Sequence, residues 1–357
     1  MLKFLNKTKN LVEDKPRFWK NERDFMKDFP HLIISLNLIL IIKLINFSFH
    51  YNSLNNHLKN AGKAAMLKMF PKAPDKHKPG NPLIPNGLGV LYVLGSVMYL
   101  FLLHYFYGVN AEVSGGTPAL HLAVCILFGG FMGLLDDWAD IKWRYKAVLP
   151  LMASLPLIVV REGDPTMSTY FWGKINLGIF YYFLVIPLIV TITTNTVNQL
   201  GGLNGLESIC PSIILTGMLI VSLIHGLKEA VLLYVPLIFS WVLAYYNFRG
   251  KIFVGNTGSF AFGITLASYA IIANIEQTLA ISIIPYVINS ALVLTNILFF
   301  NRRAGLEMDG RMLKAAHRRS LVTLIAYYYP ATERKLVLLI SSLFVLTTLI
   351  AILLSIV

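Results

Sequence analysis

The sequence predicts an all-α, polytopic integral membrane protein of about ten transmembrane helices with an active site on its cytosolic face. Three observations predict it. The 357 residues are 56% hydrophobic and only 14% charged, where a soluble domain carries roughly a quarter charged residues. Apolar runs near the roughly 20 residues needed to cross a bilayer recur along the chain. The polar residues between them fall mostly on one of the two sides that the runs define.

In chain order, the first thirty residues hold eight Lys/Arg against five acids and lack an apolar h-region. They are expected to be a charged tail (1–30) and not a cleavable signal peptide. Residues 31–357 then form a single transmembrane domain. Its apolar runs lie near 31–49, 87–107, 119–135, 147–160, 177–194, 209–226, 229–247, 260–275, 279–300 and 335–357, the fourth short and the eighth ambiguous. Pro156, Pro187, Pro211 and Pro285 lie inside runs, where neighbouring helices satisfy the freed backbone groups. Cys125 and Cys210 lie in or beside apolar segments and read as small core residues, not as a disulfide framework or zinc ligands.

If the run at 87–107 starts on the cytosolic side, loops 50–86, 136–146, 195–208, 248–259 and 301–334 face the cytosol. They contain 18 Lys/Arg, against 3 in the opposite loops, the asymmetry expected of cytosolic loops. The basic tail then lies outside; either it is an exception or the first run does not cross. The net charge of +13 is assigned to anionic lipid or phosphate-bearing substrates and not to nucleic acid.

The unusual polar residues sit in those same loops, at the ends of runs. A transporter would place them near the midplane of broken helices. In "DDWADIKWRYK", Asp136 and Asp137 abut an apolar run, and Asp140 shares a face with Asp136 if the helix continues. Lys142, Arg144 and Lys146 follow. Carboxylates beside cations suit a Mg²⁺–pyrophosphate site; a salt-bridged surface loop is the plainer alternative. In "NTVNQLGGLNGLE", Asn195 and Asn198 lie one turn apart. Gly201, Gly202 and Gly205 around Asn204 allow close backbone approach to phosphate, or simply end a helix. In "FVGNTGSFAFG", Gly255 to Ser259 open a helix whose amides can face an anion, with Thr257 or Ser259 as ordinary caps. The last loop offers Arg302, Arg303, Arg311, Lys314, Arg318 and Arg319 to diphosphate or to lipid headgroups. His317 reads as a solvated histidine.

Taken together these segments resemble the polyprenyl-phosphate N-acetylhexosamine-1-phosphate transferase superfamily, with the nearer likeness to its eukaryotic and archaeal dolichyl-phosphate GlcNAc-1-phosphotransferase branch. "GLLDD", "KWRYK" with the following Leu149-Pro150, "NTVNQLGGLNGLE", "FVGNT" and "ATERKLVLLI" stand in that branch's order. The resemblance implies ten transmembrane helices and Mg²⁺-dependent (alternatively Mn²⁺-dependent) transfer of GlcNAc-1-phosphate from UDP-GlcNAc to a polyprenyl or dolichyl phosphate. UMP leaves, in the first step of lipid-linked oligosaccharide assembly. It implies a cell or endoplasmic-reticulum membrane and a homodimer as candidate assembly. By position it makes Asp136 and Asp137 the catalytic acidic pair and Lys146 a pyrophosphate ligand. Asn256 and Asp136 become metal ligands and Asn204 a metal or phosphate contact in the substrate site; Phe253 and Asn86 lie beside the nucleoside, and Arg302 and Arg303 grip diphosphate. Asn195 and Asn198 are substrate-binding. Two departures stand out. "FFNRRAG" replaces the histidine-rich motif of the peptidoglycan branch, which argues against a muramyl-pentapeptide substrate. Asn256 replaces an expected Asp, so the metal relies on Asp136, Asp137 and the diphosphate for charge, or activity is reduced. Another UDP-N-acetylhexosamine donor, a transporter and an inactive scaffold are the competing readings.

Overall fold

A computed structural model describes residues 70–108, 117–161, 163–170, 172–300 and 304–356. The charged tail, the run at 31–49, Arg302 and Arg303 lie outside the described residues.

Twelve helices can be labelled among them: α1 (Gly89–Gly108), α2 (Pro118–Ala139), α3 (Trp143–Val148), α4 (Leu155–Val160), α5 (Ile186–Gln199), α6 (Leu206–Ile224), α7 (Tyr234–Phe248), α8 (Gly255–Ile272), α9 (Glu276–Ser282), α10 (Ile284–Phe300), α11 (Leu321–Tyr328) and α12 (Glu333–Ile356). A 3-10 segment, Leu149–Ser154, joins α3 to α4, and together they form the short run as one crossing of 18 residues. Pro150 and Pro156 fall at the starts of its second and third pieces, where the missing N–H costs little.

Among the described residues, 7 stretches are long and apolar enough to cross a membrane, or up to 8 if α9 and α10, bent by 56° at their junction, count as one. Helix α8 is not one of these; it covers the run that was ambiguous in the sequence. Its Gly, Ser and Thr lower its hydropathy because it meets protein and not lipid. Every residue from Thr257 to Ile272 is buried, under α1, α2, α5 and α6. Small residues permit the approach, as close helix packing in membranes requires. A Cβ on Gly133 of α2 would overlap the backbone of Asn256 and Thr257.

Three antiparallel hairpins, which the sequence reading did not anticipate, decorate the bundle: β1 (Lys72–Pro74) with β2 (Leu83–Pro85), β3 (Thr166–Thr169) with β4 (Gly173–Asn176), and β5 (Glu307–Asp309) with β6 (Met312–Lys314). Two-residue alternation is too short in each to register as strand. The first hairpin leads into α1 and bonds to the approach of α8: Phe253 N–H donates to Pro85 O at 2.8 Å, and Leu88 N–H to Phe253 O at 3.1 Å. The third bonds across Leu313 and Ala331 to the approach of α12. The second lies by the α8–α9 turn, where Ser168 N–H donates to Asn274 Oδ1 at 3.0 Å. At that end Glu276 is buried and accepts the Tyr181 hydroxyl.

Candidate active site

Helix α2 carries the acidic pair to the start of α8. It ends where Asp140 turns left-handed, φ 44°, with its N–H on Asp136 O. The helix therefore does not continue, and Asp140 points into solvent instead of sharing a face with Asp136. The chain then folds back so that Ile141 N–H donates to Asp136 Oδ1 at 3.0 Å. On α3, Lys146 turns inward, its Nζ 2.7 Å from the same oxygen. Lys142, Trp143, Arg144 and Tyr145 stay exposed. Asp136 is 3% exposed, and its Oδ2 has no partner among the described residues. A buried carboxylate oxygen left open beside a lysine is costly unless something binds it.

Asp137 is differently placed. Its Oδ1 accepts Asn256 N–H at 2.9 Å, and its Oδ2 accepts Thr257 N–H at 3.0 Å and Thr257 Oγ1 at 2.8 Å. The amides at the start of α8 do face an anion, as the sequence suggested, and that anion is Asp137. The cap comes from another helix and not from Thr257 or Ser259. A helix start is suited to it, having unpaired donors and the positive end of the dipole.

Around this pair the structure gathers most of the residues singled out by sequence. The Asn256 side chain is half-buried and makes no hydrogen bond to the described residues. Asn198, in the last turn of α5, accepts Ser259 Oγ at 2.6 Å, and the same hydroxyl reaches Asn256 O at 3.3 Å. Asn195 is one turn back and donates to Ala147 O at 3.1 Å, holding α3 in place. A Cβ on Gly255 would meet Asp137 Oδ2 and Asn86 Oδ1, so Asn86 and the turn that follows Phe253 border the same space. Glu207 accepts Gly202 N–H at 3.2 Å and lies within Coulombic reach of Asp137.

Asn204 stands apart from that group. Its Nδ2 donates to Asp75 Oδ2 and to Glu333 Oε1, both at 2.8 Å. Neither acid was singled out by sequence; they are 258 residues apart, and no local pattern links them. In the last loop Lys314 pairs with Asp309 at 3.1 Å, while Arg318 lies over the rings of Tyr327 and Tyr328. His317 is half-buried and accepts Gly305 N–H on Nε2 at 3.2 Å. Burial, with Arg319 nearby, pushes its pKa below the ordinary value. It is a structural anchor more than a solvated surface group.

The glycosyl transferase family 4 profile matches residues 119–274, which run from α2 to just past α8. A Saccharolobus solfataricus protein, named provisionally as a UDP-N-acetylglucosamine–dolichyl-phosphate N-acetylglucosaminephosphotransferase, is 33% identical over 264 residues, 72% of this chain and 78% of its own length. The chain belongs to glycosyl transferase family 4. Two more relatives are similar over comparable lengths. The Dictyostelium discoideum protein of the same name is 27% identical over 259 residues, 60% of this chain and 62% of the relative. The phospho-N-acetylmuramoyl-pentapeptide-transferase of Streptococcus pneumoniae is 26% identical over 262 residues, 70% and 78% of the two chains.

Proposed function

We propose that this chain transfers GlcNAc-1-phosphate from UDP-GlcNAc to a polyprenyl phosphate of the dolichyl type, releasing UMP, at the cytosolic face of the membrane. The observation that carries the reading is Asp136: a buried carboxylate with one oxygen on Lys146 and the other open, at the membrane-surface end of α2. Family membership and the names of the archaeal and eukaryotic relatives support the choice of substrates.

The acceptor's phosphate oxygen attacks the β-phosphorus, which bears the sugar. The bond from that phosphorus to the bridging oxygen breaks, and UMP leaves with the oxygen. The attacking phosphate is already anionic near neutral pH, so positioning and charge neutralisation carry the acceleration. Asp136 Oδ2 accepts a hydrogen bond from the acceptor phosphate's remaining P–OH and takes that proton as the attack proceeds, and Lys146 balances the charge. Asp137 holds α2 against α8 so that Asp136 stays in place. A double displacement through a covalent aspartyl intermediate is the rival; an adduct trapped on Asp136 or Asp137 would establish it.

Mg²⁺ fits the residues present. The Asp136 carboxylate and the Asn256 amide oxygen are hard oxygen donors, as Mg²⁺ prefers; Asn204, the third ligand that the resemblance offered, is held apart from them by Asp75 and Glu333. When bound, the ion would supply charge neutralisation to the diphosphate. The Gly202 and α8 amides are already committed to Glu207 and Asp137, so diphosphate charge falls to Lys146, the metal and the last loop's arginines. For the lipid tail, α10 leans away from α9, with Ile297, Leu298, Phe299 and Phe300 exposed as an apolar wall.

The test is direct. Purified protein is incubated with labelled UDP-GlcNAc, Mg²⁺ and polyprenyl phosphate, and lipid-linked sugar phosphate and UMP are measured. No product from any UDP-N-acetylhexosamine rejects the reading; flux of nucleotide sugar into liposomes instead would favour a transporter.

A further inference from the structure

The proposed reaction makes no use of the buried cluster around Asn204. Asp75 follows β1 and is 2% exposed. Its Oδ2 holds the Lys78 ammonium at 2.7 Å and Asn204 Nδ2 at 2.8 Å. Glu333, the first residue of α12, accepts both the backbone N–H and Nδ2 of Asn204 on one oxygen, each at 2.8 Å. Asp75, His77 and Glu333 are close enough to share a cation. Lys78 and Asn204 already occupy Asp75 Oδ2, and Asn204 occupies Glu333 Oε1.

An amide side chain donates from its nitrogen and accepts on its oxygen. With the nitrogen between two carboxylates, the flipped orientation would press the oxygen against both. The amide is therefore locked, and its Oδ1 is fixed as an acceptor. That oxygen is buried and has no partner among the described residues, in a side chain 3% exposed. An unpaired buried acceptor is a debt that a ligand can settle. It cannot hold a phosphate oxygen, since both are acceptors. The residue is tied to the nucleotide end of the site: Gly205 N–H donates to Asn247 Oδ1, and Asn247 Nδ2 to Ile252 O, both at 2.9 Å, one residue before Phe253.

We propose that Asp75 and Glu333 are positioning residues for the donor substrate, locking Asn204 so that its oxygen meets an N–H, an O–H or a metal cation brought with the sugar nucleotide. This rests on the function proposed above. The lock predicts a defect confined to donor binding. In Glu333→Gln a neutral amide can donate to Asn204 Oδ1, so only Asp75 still opposes the flipped orientation and the lock is weakened. The KM for UDP-GlcNAc should rise about tenfold, the worth of one buried hydrogen bond. Both kcat and the KM for polyprenyl phosphate should stay within about twofold, a split that general loosening would not give. Asn204→Ala should raise the same KM, and adding Glu333→Gln to it should change nothing further. A KM defect abolished by saturating Mg²⁺ assigns the oxygen to the cation; one that persists assigns it to a donor on the substrate. Both keep the lock. If Glu333→Gln does not fold, Asp75→Asn is read the same way. An active wild type with unchanged donor KM in the variants, or additive effects in the double variant, overturns the lock alone. A wild type that turns over no UDP-N-acetylhexosamine overturns the function and the lock together.

Discussion

Asp136 and Asp137 differ in what their oxygens already hold, and that separates their expected mutant behaviour. Asp137 commits both oxygens to the first amides of α8. Asp137→Ala should cost about 1–2 kcal/mol, the usual worth of a helix cap, and lower the thermal unfolding midpoint, with Asn recovering part of it. Asp136→Asn keeps the volume and removes the charge that faces Lys146. It should lower kcat by about a hundredfold or more, as removal of a preorganised charged group does, with a smaller change in the midpoint; equal losses in both variants would show that the two aspartates are not divided this way. The pair itself was legible, because two carboxylates against an apolar run demand an explanation. Their division was not, because which aspartate caps α8 depends on a contact across 120 residues. The same limit hid Asp75 and Glu333, whose meaning lies only in sharing Asn204.

At the scale of elements, the site depends on α2 lying tight against α8. The run "LFGGFMGLLDD" showed an apolar helix ending in acids, but its glycines gain their role only from the neighbour. Gly133→Ala would place a methyl on the Asn256 carbonyl. Overpacking of that kind costs about 1–3 kcal/mol, and the shift would carry Asp136 with it, so both unfolding midpoint and turnover should fall. An unchanged enzyme would mean that the helices yield more easily than their backbones suggest. Helix α8 was the least legible run for the physical reason that made it central: a helix surrounded by protein has no need of lipid-compatible residues. In the last loop, His317 predicts a pH dependence. Its folded pKa is depressed, so the anchor to Gly305 is intact above the unfolded value of about 6.5 and is lost as pH falls through the folded value. The unfolding midpoint should therefore decline below about pH 6.5, and His317→Gln, which keeps an acceptor but does not titrate, should flatten that decline. A wild-type profile identical to the variant's would remove His317 from the explanation.

For the whole molecule, the basic loops and the candidate site residues lie at one end of the helix bundle among the described residues. The hairpin β1–β2 binds the approach of α8, the loop at 201–204 binds Asp75 and Glu333, and β6 binds the approach of α12. Loops from five places in the chain therefore meet at one end of the bundle, while β3–β4 and Arg161 lie with the α8–α9 turn at the other. Sequence could see that the polar loops share a side, because each crossing reverses direction, but not that they interlock, because hairpins of three or four residues leave no periodicity to read. The orientation expected from 18 basic residues against 3 can be tested through cysteines. Cys125 and Cys210 are both buried, so a membrane-impermeant maleimide should not reach them. Lys76 and Arg311 are exposed on the active-site end and Lys174 on the other. In sealed vesicles exposing the cytosolic face, Lys76→Cys and Arg311→Cys should label and Lys174→Cys should not, with the pattern reversed in vesicles of opposite sidedness. Labelling of Lys174→Cys together with Arg311→Cys from one side would break the topology. A clean inversion would keep the bundle and move the active site to the far face, where UDP-GlcNAc from the cytosol could not reach Asp136 without a carrier.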